Sequence, residues 1–509
     1  MIRCAIVGTG PSALATAEAL ISRGIVPDIL DLGAEAPAAS EALRARLAAN
    51  PPERWSPSDR VAAQAQPQGG PNVPRKGYFG SDYPYADASL GIASYGPLPS
   101  RALGGYSTIW GGAILAPKPE DLADWPVRNM AASIARIWAR LPKSDSTSSV
   151  PYGSQMVALH RDARRADDTR VRQAALAVAA TAQAPDHPSA CNGCGLCLSG
   201  CPYGAIFGTA APFRRLAHEG RVRLRQGLFV LQARETADRL ALDWVDTATD
   251  KAGSDNYDRV FLAAGAVGST RIALRSRALF DRDVEMRDSQ KILIPILRRH
   301  APAGALAATG ATLAGLFVDL PPDATSAHWR HLQITGTNPL LLAHFGIGPD
   351  PARGGWRKRL MAPMLARLMV GWGGLHSAQS GKLVLRLSPS AQTRDNLAIR
   401  AVPARESLPA ARRAVAGFRR ALAPTRTYVP PIGWRLVAPG EGNHIGASLP
   451  MRAAGGDAGL SSDMLGRPLG FARLHVVDSS VFPSIPATTM LVLSMANADR
   501  IAREVSLGD

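Results

Sequence analysis

A chain of 509 residues is too long for one compact core and predicts at least two domains. With 46% hydrophobic and 19% charged residues it is globular, not disordered or fibrous. The formal charge of +17 comes mostly from arginines spread along the chain; without a zinc finger, an RNA-binding signature or a dense basic tail, it argues against a nucleic-acid role. No run of about 18 apolar residues suggests a transmembrane helix. The first strand begins at residue 2, which leaves no room for a cleavable signal peptide and predicts a cytoplasmic protein.

The chain opens on an apolar run, Arg3 to Val7, followed by Gly8-Thr9-Gly10-Pro11-Ser12-Ala13 and an Ala/Leu-rich helix. This is G-x-G-x-x-A between a strand and a helix. Glycines there permit a tight turn and let the backbone approach a pyrophosphate, whose charge sits at the helix N-terminus. A second run, Ile29-Leu30, ends at Asp31, about 20 residues on, where an acid can bind a ribose hydroxyl. Residues 1–35 therefore predict a β-α-β unit that binds a dinucleotide. The motif does not distinguish FAD from NAD, and an ordinary βαβ turn is the plainer alternative.

Residues 36–75, rich in Ala, Pro and Arg, predict an excursion without strong periodicity. Residues 76–100 carry Tyr78, Phe79, Tyr83 and Tyr85 among Gly and Pro and predict a surface loop returning to the core. Leu103 to Gly112 holds two glycine pairs, Gly104-Gly105 and Gly111-Gly112, which let backbone pass close to something flat or charged. A helix is predicted over 127–142, a loop over 144–150 and helical composition over 155–184.

Four of the five cysteines then fall in Cys191-Asn-Gly-Cys194-Gly-Leu-Cys197-Leu-Ser-Gly-Cys201-Pro202; Cys4 stands alone in the first strand. The spacing C-x2-C-x2-C-x3-C-P is the run bacterial ferredoxins use for iron–sulfur clusters. Gly193, Gly195 and Gly200 allow tight turns and free backbone N–H groups toward sulfide. Zinc sites usually come as two separated Cys pairs. All four cysteines on one 4Fe–4S cluster uses every ligand; three on a 3Fe–4S cluster is the alternative, and a purely structural thiol cluster is a third.

Strands are predicted over 221–232 and 240–245. Arg259 to Gly268 reads as a buried strand running into a turn, then a helix through Leu274. Residues 286–435 mix short strands such as Lys382 to Leu387 with irregular pieces and predict an inserted substrate domain. Within them Trp356, Leu360, Met361, Met364, Leu365, Leu368, Met369 and Trp372 recur at helical spacing, with Arg357, Lys358, Arg359 and Arg367 elsewhere. That predicts an amphipathic basic helix over 356–372, either packed on its own protein or lying at a membrane surface, and Pro363 weakens it. The C-terminal stretch reads strand, turn, Pro-rich loop, helix, with His444, Asp478 and Thr489 at its turns.

Four blocks together, the N-terminal fingerprint, Gly104-Gly105-x-Ser107, Ala263-Ala264-Gly265 and the His444 to Thr489 segment, resemble the glucose–methanol–choline oxidoreductase family of flavoproteins. They cover roughly a third of the chain. The cysteine loop resembles that of members that pass electrons through an iron–sulfur cluster, such as bacterial FAD-dependent sugar dehydrogenases. The resemblance implies an α/β fold: an FAD-binding Rossmann-like domain of glutathione-reductase type, discontinuous over 1–35, 76–130, 203–285 and 436–509, with an iron–sulfur loop at 186–202 and an inserted α+β substrate domain. It implies that Gly8, Gly10, Pro11, Ser12, Ala13 and Asp31 hold the ADP half of FAD. Gly104, Gly105, Ser107, Trp110, Gly111 and Gly112 would line the pyrophosphate and isoalloxazine. Val230 would meet the adenine, Ala264 and Gly265 the pyrophosphate, and Asp478 the ribityl-phosphate region. His444 matches the catalytic histidine, and a neutral imidazole suits the base that takes an alcohol proton while hydride leaves to flavin. The second catalytic position falls on Thr489, a poor base, and Trp110 stands where the family commonly has Asn.

The expected function is an FAD-dependent dehydrogenase acting on an alcohol CH–OH, of a sugar or glycoconjugate by family analogy. Its electrons would leave through a 4Fe–4S cluster to a quinone or redox protein, with peripheral inner-membrane contact if residues 356–372 meet lipid. A flavin/iron–sulfur carrier without its own substrate and a non-redox FAD lyase are the alternatives.

Overall fold

The computed structural model describes residues 2–65, 76–85, 92–94, 99–144, 150–179, 190–306, 310–337, 356–389, 396–453 and 460–507. At its centre is a five-stranded sheet in the order Leu474–Val476, Arg259–Leu262, Cys4–Val7, Asp28–Leu30, Arg223–Arg225, with every pairing parallel. Cys4–Val7 lies mid-sheet and is wholly buried, as an apolar run covered on both faces must be. Burial holds the Cys4 thiol up at about 12, the mark of an inert core residue. The helix Pro11–Ile21 packs along the C-terminal helix Leu491–Glu504. The antiparallel meander Leu228–Glu235, Leu240–Asp246, Ala252–Tyr257 shares the same core.

Two further sheets stand beyond it. One runs Ile445–Gly446, Asp283–Asp288, Lys382–Ser388, Asn396–Val402, Ile92–Ser94. The other contains seven strands; its path runs Thr427–Tyr428, Lys291–Arg298, Leu368–Gly374, Arg330–Thr335, Leu316–Leu320, Val171–Gln173, and Arg435–Leu436 also pairs with Lys291–Arg298. Helices Ser154–Ala166 and Ser407–Leu422 pack on this sheet. It draws Val171–Gln173 from well before residue 286, so the sheet crosses the boundary expected for an inserted domain. The chain passes from Asp288 in one sheet to Lys291 in the next through only two residues, which makes a seam between them.

Several expectations are corrected. The helix expected over 356–372 ends at Leu365; Leu368–Gly374 is a strand paired on both sides. Pro363 removes a helical donor, and Gly371, Gly373 and Gly374 disfavour helix while admitting close neighbours. A Cβ on Gly371 would lie 2.8 Å from Leu332. Leu365, Leu368 and Met369 are buried, leaving Leu360 (74% exposed) and Met364 outside; the stripe proposed for a membrane surface does not form as one face. The strand expected over 221–232 breaks at Gly227, in the left-handed region, into Arg223–Arg225 and Leu228–Glu235, which join different sheets. Helical composition over 155–184 yields a helix only to Ala166, and residues 180–184 lie outside the described residues. The helix expected over 127–142 spans Ala131–Arg140. The excursion at 36–75 contains helices Ala38–Ala48 and Pro57–Gln64, and Phe79 and Tyr83, expected on a surface loop, are buried. Among the described residues no helix is long and apolar enough to cross a membrane.

Candidate active site and cysteine centre

A cavity of about 450 Å³ opens at the carboxyl ends of the parallel strands, where open α/β sheets place their ligands. Its floor is the turn after Cys4–Val7. Gly8 has φ +108, and a Cβ there would lie 2.4 Å from the Ala263 carbonyl oxygen, so only glycine lets the two strand ends meet. Gly10 caps the helix, with Pro11 in its first turn and no atom within 4 Å of where a Cβ would point. The helix N-terminus thus opens onto empty cavity, a cradle for anionic oxygen. Gly265 is open in the same way on the facing wall. The carboxyl group of Asp31 accepts from Thr9 Oγ1, and Thr9 Oγ1 in turn accepts from the Gly104 N–H at 2.8 Å. Burial raises Asp31 to about 6, against hydrogen bonds from Thr9, Gly33 and Leu32 that pull it down, so it is ionised at pH 7.

The remaining expected residues divide. Ser12, Gly105, Trp110, Gly111, Val230, Ala264 and Asp478 line the cavity with those above. Trp110 is pinned by its Nε1–H donating to the Phe207 carbonyl at 2.6 Å. The Val230 carbonyl accepts from Arg271, at a bulge that leaves Leu231 out of register. Asp478 is on the wall, but its carboxylate accepts from Ser269 (2.6 Å) and from the backbone and hydroxyl of Ser480 (3.0 and 2.6 Å). Ala13, Gly104, Ser107 and Gly112 lie behind the wall. Ser107 staples Gly104 to the segment before Ala210: its Oγ donates to the Gly104 carbonyl at 2.6 Å and accepts from the Thr209 N–H at 3.0 Å.

The cavity is also lined by His444, Thr489, Asn443 and Gln333. His444 immediately precedes the strand Ile445–Gly446, whose register with Asp288 fixes it at the seam between sheets. Its carbonyl accepts from the Ser289 N–H at 3.0 Å. Burial, ahead of any positive charge on Lys291 or His331, pushes its imidazole well below the usual range, so it is neutral at pH 7. The Thr489 hydroxyl is buried without a protein partner among the described residues, as a group waiting for a ligand would be.

The cysteines lie behind the Gly111–Ala113 wall. Ala113 lines the cavity and packs in one apolar cluster with Cys197, Ala205 and Leu313, with Cys191 and Cys201 against it. Cys194 packs instead under Leu43, Leu47, Trp55 and Phe79, so the 36–65 segment covers the loop. Burial raises all four thiols, Cys191 to about 12, and at Cys191, Cys194 and Cys197 the charge of neighbouring thiols adds to it. Backbone N–H groups oppose the shift: Gly193 at Cys191, Leu196 at Cys194, Thr312 at Cys197, and Tyr203 to Ile206 at Cys201, with Ala205 N at 3.3 Å. Four thiols ringed by donors, Cys194 and Cys197 buried and Cys191 and Cys201 partly so, fit anionic sulfur neutralised by bound iron, and the N–H groups are the kind that tune such clusters. Among the described residues no three His, Cys, Asp or Glu converge as a single ion requires; a cubane spreads its ligands over four iron atoms.

Thr9, Arg271, Lys291 and Lys76 were not singled out from the sequence. Thr9 is an unspecified position of the glycine motif, and Arg271 lies in an ordinary helix. Lys76 sits where a Cβ on Gly111 would meet its Nζ at 3.7 Å, and burial lowers it to about 8 against the pull of Cys197. It therefore bridges the cavity wall and the cysteine loop. None of these carries a local pattern.

The model of a 4Fe-4S binding domain matches residues 184–207. No curated protein matches the sequence. Among solved structures the chain is similar to pyridoxine 4-oxidase from Mesorbium loti, with TM-score 0.58 and 14% identity over 99% of each chain.

Proposed function

We infer that the mixed α/β fold, which the chain shares over nearly its whole length with the solved pyridoxine 4-oxidase, is the one the resemblance to the glucose–methanol–choline oxidoreductases implies. We propose that the protein is a flavin-dependent dehydrogenase of an alcohol CH–OH group whose electrons leave through an iron–sulfur cluster held by Cys191, Cys194, Cys197 and Cys201. One observation carries the reading: a neutral imidazole, His444, and a glycine-lined helix N-terminus share one cavity, and the thiols lie against that cavity's wall.

The cavity residues fit FAD. Open space at Gly10 and Gly265 suits the pyrophosphate, Asp31 would accept a ribose hydroxyl, and Thr489 offers an unused hydroxyl. Bound flavin supplies the two-electron hydride acceptor. His444 would take the alcohol proton at Nε2, and Trp110 and Gln333 line the same cavity. A cluster passes single electrons, which an oxidase returning both to dioxygen does not need; this favours a dehydrogenase with a quinone or redox-protein acceptor. A sugar or glycoconjugate alcohol is the substrate class by analogy, and pyridoxine joins the screen because the similar solved structure is an oxidase of it.

Anaerobic purification should yield FAD and about four iron atoms per chain. A screen of polyols, sugars, sugar nucleotides and pyridoxine with an artificial one-electron acceptor should find turnover that His444→Ala slows by about 100-fold or more, the usual weight of a general base. Zinc in place of iron, or wild-type rates in His444→Ala, would reject the assignment.

A further inference from the structure

The cavity's histidine does not stand alone. Lys291 Nζ lies 2.9 Å from His444 Nδ1 and 3.4 Å from Ser289 Oγ. Lys291 is 8% exposed, and room is made for it: a Cβ on Gly442 would lie 2.6 Å from its Cγ, and one on Gly374 3.2 Å from its Nζ. From this geometry we infer that Lys291 is the proton-accepting partner of His444: when the imidazole takes the alcohol proton at Nε2, it hands its Nδ1 proton to the neutral Lys291 amine.

The reason is tautomeric. A neutral imidazole has one donor and one acceptor nitrogen. An ammonium at Lys291 can only donate, so Nδ1 would accept, Nε2 would carry the hydrogen, and no lone pair would face the cavity. A neutral amine accepts from Nδ1–H and leaves Nε2 bare as a base. Burial favours the neutral amine, since an ammonium is costly in a dry site, and outweighs the opposing pull of Asp288. The charged and titratable groups facing the pair are Asp288 from the preceding strand and His331 from Arg330–Thr335. Asp288 accepts from the Gly440 N–H at 2.8 Å through one oxygen while the other has no partner among the described residues, and burial pushes it up. His331 is tied at 2.7 Å to Asp319, which also pairs with Arg172.

The step balances. The alcohol O–H breaks and Nε2–H forms; Nδ1–H breaks and an Nζ–H forms, giving an ammonium facing Asp288. The hydride, with its electron pair, goes to the flavin acceptor of the proposed reaction, on which this inference rests. Lys291 acts through His444 and is a positioning residue. Its deprotonated form is the active one, so flavin reduction should rise with pH through a midpoint below the ordinary lysine value of about 10.4 and level above it.

The test is ¹⁵N NMR of histidine-labelled full-length holoprotein, with the His444 signal assigned by its loss in His444→Gln. In wild type the His444 tautomer should switch with pH, from Nε2–H at low pH to Nδ1–H at high pH; in Lys291→Met, and again in Lys291→Gln, the switch should be absent. Flavin reduction by the alcohol should fall about 10- to 100-fold in Lys291→Met with the pH step lost. Lys291→Arg, held protonated, should fall at least as far with KM near wild type. A single tautomer throughout in wild type, or a switch that persists in both Lys291 variants, overturns the inference. Because the spectra need no substrate, a failure to find any alcohol contradicts the dehydrogenase reading without touching this test.

Discussion

At the scale of single residues the two glycines of the first turn separate stability from binding. Gly8→Ala must place a Cβ 2.4 Å from the Ala263 carbonyl at φ +108. It should cost about 1–3 kcal/mol or more, read as a lowered melting temperature and lost flavin. Gly10→Ala meets no protein atom at an ordinary φ of −70. Its melting temperature without flavin should stay near wild type, within about 0.5 kcal/mol, while flavin affinity drops because the new methyl enters the cradle. Equal stability losses in both would contradict this division of roles. Gly8, Gly10 and Asp31 lie in a short pattern whose chemistry is local, while His444 is singled out only by the family resemblance. Lys291 was not legible. Its contact with His444 spans 153 residues and follows from the register of Asp288 with Ile445, which no single window displays.

Among elements, the cysteine loop was legible from spacing alone, while its lid was not. The helices Ala38–Ala48 and Pro57–Gln64 carry weak periodicity because they cover a loop, presenting a few residues such as Leu43, Leu47 and Ala63 to it. Over 356–372 the apolar residues spaced at three and four include the consecutive Leu368-Met369-Val370, an apolar run that suits a strand covered on both faces, and Pro363 and three glycines decide the outcome. The loop's placement behind Gly111–Ala113 sets a kinetic expectation. Cys197→Ala should lose cluster iron yet still let a single turnover of alcohol bleach the flavin, while reoxidation by an artificial one-electron acceptor slows at least about tenfold. Loss of the first bleaching step, with flavin still bound, would mean that the cluster is not merely an exit.

For the whole molecule, the opening unit could be read because Cys4–Val7, Pro11–Ile21 and Asp28–Leu30 follow one another in sequence order, whereas Arg223–Arg225, Arg259–Leu262 and Leu474–Val476 join the same sheet from far along the chain. The two remaining sheets could not be. They interleave strands from residues 92 to 446, and Val171–Gln173 pairs with a strand 145 residues later. That interleaving brings the imidazole, with the lysine against it, to the cavity that the glycine cradle also lines, and the thiols lie behind its wall. The central claim is that electrons taken from an alcohol at His444 pass from flavin to the cysteine-held cluster. It is tested most directly by anaerobic mixing of the holoprotein with a substrate alcohol, following flavin absorbance and rapid-freeze electron paramagnetic resonance in one time course. Flavin should bleach first, then a reduced iron–sulfur signal should grow as the flavin partly reoxidises, with both slowed together in His444→Ala. Flavin that bleaches fully while the cluster signal never appears would contradict the claim.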